Sequence, residues 1–167
     1  MTQENFIICR HSSFSYIRNA NYFFSPKLTI MNLQKTIVGG IVAGILYFLL
    51  GYVFYGLLLK DFFSTNGMAV DMDAMVWWAM IVANLAGGLL LAYILSKAGA
   101  STAATGAGIG FVVGLLMSLS FDLMMYATGH GMSTTGIAAD VAISAVMSAI
   151  VGAVVAAVMG MGKKALA

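Results

Sequence analysis

Apolar residues fall into four blocks separated by short polar breaks, at 36–59, 74–96, 103–127 and 136–160. The first block holds 24 residues without a charge. At about 1.5 Å per residue, such a helix spans a hydrocarbon core of roughly 30 Å. Lys35 and Lys60 bracket it. Trp77-Trp78 opens the second block, and Tyr52 and Tyr55 lie late in the first, where amphipathic rings favour the membrane interface. The pattern predicts an all-α membrane protein, a four-transmembrane-helix antiparallel bundle over 31–167, preceded by an irregular extension over 1–30.

Inside the blocks a second pattern has period four. The third carries Gly106, Gly110, Gly114, Ser118, Asp122 and Tyr126, and the fourth carries Asp140, Ser144, Ser148, Gly152, Ala156 and Gly160. Run in opposite directions, these ridges bring Asp122 level with Asp140. Small residues at this spacing let helix backbones approach closely, and ionisable groups in hydrocarbon are costly enough to mark a site. The ridges also wind, because a spacing of four overshoots a 3.6-residue turn by about 40°. The Asp122–Asp140 contact therefore depends on the crossing angle.

Gly40 and Gly44 in the first block, and Asn84, Gly88, Ala92 and Ser96 in the second, follow the same spacing. Asn84 must hydrogen-bond within the bundle, either as a bridge between helices or as a group facing a substrate. The run from Gly40 to Leu46 resembles that from Gly110 to Leu116, and Asn84, Gly88 and Ala92 parallel Ser148, Gly152 and Ala156. Two related helical hairpins are one reading of this; chance similarity of apolar sequence is the other.

The loops supply turn and capping residues. Asn66-Gly67 signals a turn in 61–73, and the acids there (Asp61, Asp71 and Asp73) lack the pattern of a calcium loop, so this is a solvated loop. Gly99 suits the position after a helix end, Ser101 or Thr102 can cap the third helix, and this short connection makes the second and third helices antiparallel neighbours; Thr134 and Thr135 can cap the fourth. His130 is the one histidine near the bundle. It is either a solvated loop residue or a relay beside the two aspartates.

Composition narrows the class further. At 61% hydrophobic and 8% charged, the chain is far from soluble domains, where about a quarter of residues are charged. A net charge of +2 from scattered basic residues gives nucleic acid no footprint. The single cysteine, Cys9, cannot form an internal disulfide, and no Cys/His spacing suggests a metal. No cofactor is expected.

Arg10, Arg18, Lys27, Lys35, Lys97, Lys163 and Lys164 would lie on one side and Lys60 on the other, which places both termini in the cytoplasm. Residues 1–30 hold no apolar run long enough for a signal peptide. Met31-Asn32-Leu33-Gln34-Lys35 reads as a start just ahead of a membrane helix, so the extension is expected to be untranslated in vivo. A targeting segment or a peripheral arm is the alternative.

The glycine-bearing first helix ending in Tyr52, Phe54 and Tyr55, the run from Leu90 to Leu95, and the glycine-rich entry to the third helix resemble a family of small four-helix bacterial membrane proteins, a domain of unknown function. That resemblance implies the topology and a multi-pass place in the bacterial inner membrane, and brings no residue roles. The family often has Trp-Tyr where this chain has Phe54-Tyr55.

Three functions fit these features. The first is a non-catalytic bundle that associates with itself or a partner through its small-residue ridges (Gly40, Gly44, Gly88, Gly106, Gly110, Gly114 and Gly152), with Asp122 and Asp140 as a buried pair sharing a proton or recruiting Lys60, Tyr126 or Ser144. The second is a small proton- or cation-coupled transporter or channel, acting as an oligomer, with a polar site of Asp122, Asp140, Asn84, Ser118, Ser144, Tyr126 and His130. An enzyme is the third, but neither a Gly-x-Ser-x-Gly elbow nor a His-Glu-x-x-His motif is present, and no catalytic residue is assigned. The lipid bilayer is the one partner the sequence names; it points to no substrate.

Overall fold

In a computed structural model the chain divides after Ile30 into two units. The structure describes residues 33–67, 74–129 and 133–161, all in the second unit, and these are helical or in turns, without a strand. Helix α1 covers Leu33–Gly51 and continues as a π-helical segment, Tyr52–Leu58. Then follow the short α2 (Lys60–Thr65) and the long helices α3 (Trp77–Lys97), α4 (Ala103–Ala127) and α5 (Thr134–Met161). Among the described residues, four helices, counting α1 with its π segment, are long and apolar enough to cross a membrane.

Local signals explain where they stop. Gly99 takes φ +68°, which releases its own N–H to Ser96 and that of Ala100 to the carbonyl of Leu95, closing the end of α3. Thr102 caps α4 by accepting from the Thr105 amide at 3.3 Å. At the start of α5 the cap is Ser133, which accepts from the Gly136 amide at 2.9 Å, not Thr134 or Thr135. The chain enters α5 one residue earlier because Ser133 is also fastened to Asn66, its amide to the Asn66 carbonyl and its hydroxyl to Oδ1 at 2.6 Å.

Glycine sets the packing, because two helices approach closely only where no Cβ intervenes. In the α1–α3 pair, a Cβ built on Gly44 would lie 3.0 Å from the Cα of Leu85, and one on Gly88 would lie 2.9 Å from the Cα of Gly44. In the α4–α5 pair, Gly106 lies against Gly152 and Ala156, Gly110 against Ser148, and Gly114 against Ser144 and Ser148. The position falls along one helix as it rises along the other. These two pairs make the most extensive contacts in the fold, and α1 packs across onto α5.

By contrast α3 and α4, joined by the short turn at Gly99 and expected to be neighbours, barely touch. Each has its small-residue face turned to another helix. Leu90, Met117 and Phe121 line the space left between them. The dry core of Ala43, Leu91, Ala92, Leu95, Val151, Val155 and Ala156 fills the half of the bundle nearer that turn. The other half holds the polar groups.

Candidate functional site

Asp122 and Asp140 are both buried, with 2% and 7% of their surface exposed. The α4–α5 register carries them to one level, and Ser118, one turn before Asp122, lies between them. Its Oγ is 2.9 Å from Asp140 Oδ2 and 3.1 Å from Asp122 Oδ2. A serine hydroxyl has one proton to donate. Both contacts are full hydrogen bonds only when one carboxyl carries a proton and donates back to Ser118.

A third helix closes the cluster. Tyr55, in the π segment, donates to Asp140 Oδ1 at 2.6 Å and lies 3.3 Å from Ser144 Oγ. With the phenol proton committed to Asp140, Ser144 is the donor in the second contact. Two turns away, Tyr47 donates to Ser148 Oγ at 2.9 Å. In a regular α-helix eight residues overshoot two turns by roughly 80°, so Tyr47 and Tyr55 would face different ways. The π segment, marked by the bond from the Leu59 amide to the Phe54 carbonyl, turns less per residue and brings Tyr55 back to the face of Tyr47. The buried ring of Phe63 on α2 packs against Tyr55 at 5.0 Å between centroids.

The pair also borders a cavity of about 540 Å³. Asp122, Asp140, Ser144, Ser148 and Tyr47 form its floor on α4, α5 and α1, while Ala83, Gly87, Leu90, Met117 and Phe121 form an exposed rim on α3 and α4. It is open at its side, between the two long helices that barely touch.

Other residues singled out in the sequence take different places. Asn84 lines the cavity, but its amide donates to the Met80 carbonyl of its own helix at 2.8 Å and not across to another. Tyr126 is 52% exposed and outside the cluster. Lys60 is exposed at the start of α2, while the Tyr55 and Ser118 hydroxyls bond the carboxyls. His130, Asp71, Asp73, Lys163 and Lys164 lie outside the described residues. Among those described, no three His, Cys, Asp or Glu side chains gather as a metal ion requires.

Sequence reasoning assigned Tyr55 to the interface and gave Tyr47 and Phe63 no role. Spacing gave no signal for Tyr55: it is eight residues from Tyr47, as Asp140 is from Ser148, but a regular helix would turn the two rings to different faces. Tyr55→Phe removes the donor to Asp140 and is expected to cost about 1–2 kcal/mol in detergent unfolding. Tyr52→Phe, changing an exposed ring, is the control and should leave stability unchanged.

No protein-family model matches the chain, and no curated protein or solved structure matches it either.

Proposed function

We propose that the chain is a non-catalytic, multi-pass protein of a bacterial inner membrane, an antiparallel four-helix bundle with both termini in the cytoplasm, in which Asp122 and Asp140 share one proton and hold α1, α4 and α5 together. The observation that carries this reading is the position of Ser118 between the two carboxyls, with one proton for two acceptors. The falling-and-rising register of α4 against α5 supports the antiparallel arrangement. The excess of basic residues on the side of Lys35 and Lys97 supports the orientation. The bacterial membrane rests on the resemblance in helix order. The small-residue ridges are also the surfaces through which copies would associate.

A second reading, a proton- or cation-coupled transporter, is favoured by the cavity at the pair. Against an open channel stands the dry core, whose Leu91, Leu95, Val151 and Val155 fill the other half of the bundle. Flux measurements in liposomes separate the two. A structural pair predicts no proton or cation flux above that of empty liposomes, and loss of assembly in Asp122→Ala. Coupled transport predicts wild-type flux that disappears in an Asp122→Asn protein that still assembles.

A further inference from the structure

We propose that the cavity between α3 and α4 binds an amphipathic monocation, a protonated amine with an apolar body, entering sideways from the bilayer. Its volume of about 540 Å³ is within the range of small-molecule sites, roughly 300–1,000 Å³, and far exceeds what a bare metal ion needs. The lining divides by chemistry as an amphipath does. Asp122, Asp140 and Ser148 are buried at the floor, and Leu90, Met117 and Phe121 are exposed along the rim.

Charge selects the ligand. Two carboxyls sharing one proton carry a single negative charge, which one ammonium neutralises while donating to the carboxyl and serine oxygens around it. A phosphate or carboxylate headgroup would be repelled. A neutral apolar molecule would leave the charge uncompensated in a low-dielectric site. The route follows from packing: the rim lies between two helices that barely touch, and the dry core seals the cavity toward the α3–α4 turn. The inference rests on the shared-proton reading of the pair and adds a ligand to it.

The test uses the full chain in phosphatidylcholine nanodiscs, with empty nanodiscs as blank and octylamine, octanol, octanoate and methylamine as probes. Octylamine is expected to bind saturably, and each of the others at least about tenfold more weakly. Gly87→Phe tests the place without touching a carboxyl. Gly87 is on the rim and a Cβ there meets nothing within 4 Å, so the variant is expected to fold and to obstruct the mouth. It should weaken octylamine at least about tenfold, as should the Asp122→Asn/Asp140→Asn double variant, which removes the negative charge. Octanol binding as well as octylamine would overturn the proposal, as would Gly87→Phe leaving octylamine affinity unchanged. Absence of octylamine binding alongside energetically coupled carboxyls sinks the ligand alone, whereas uncoupled carboxyls sink the shared proton as well.

Discussion

Gly110→Val is expected to cost about 3 kcal/mol, at the upper end of overpacking penalties, and to open the α4–α5 pair. A Cβ at Gly110 falls onto the carbonyl oxygen of Ser148 and lies 3.3 Å from the Cα of Ala149. These are backbone atoms and cannot rotate aside, so the helices must separate. Separation would loosen Gly106 from Gly152 one turn away, and Ser118 from Asp140 two turns the other way. Gly108 is the control on the same helix, because a Cβ there meets nothing within 4 Å. Gly108→Val should change stability little, and equal losses from the two substitutions would show that helix propensity, not close approach, sets the effect. Unfolding of purified protein in mixed detergent micelles measures both.

Asp140→Ala carries the second large effect, about 2–4 kcal/mol, because it removes the acceptor of the Tyr55 phenol and one of the two carboxyls that Ser118 bridges. Asp140→Asn keeps an acceptor oxygen and adds a donor of the kind a protonated carboxyl supplies, so its cost should stay below about 1 kcal/mol. The ordering matters more than either value. If alanine and asparagine cost the same, charge matters at this position more than the hydrogen bonds. The same unfolding assay, with retention of the folded species on gel filtration, gives the comparison.

What the sequence made legible was whatever depends on spacing along one helix. Four apolar blocks predicted four long helices, and the period-four glycines marked the faces that now meet backbone to backbone. Gly99 and Thr102 were readable as stop and cap because their chemistry is local. Contacts between non-neighbouring helices were harder to see. That α1 packs on α5, and α3 stands away from α4, depends on which small-residue faces find each other, and chain order suggested the opposite pairing. Tyr55 was hidden for a different reason, since a regular helix would aim it elsewhere and nothing local in Tyr52–Leu58 announces a π turn. Asn84 was left with two roles, and its bond to a carbonyl of its own helix, on the wall of the cavity, was not legible from spacing because it needs no partner across the bundle. Ser133 was passed over as a cap because its tie to Asn66 joins residues 67 apart in the chain.

The most direct test of the shared proton is a double-mutant cycle of Asp122→Ala and Asp140→Ala, read as unfolding free energy of the full chain in detergent. Each single substitution takes from the remaining carboxyl the partner with which it shares a proton, whereas the double removes the whole arrangement. The double mutant is therefore expected to cost less than the sum of the singles by about 1–3 kcal/mol. Additivity within about 0.5 kcal/mol, or single mutants more stable than the wild type, would contradict a carboxyl pair that holds the bundle together.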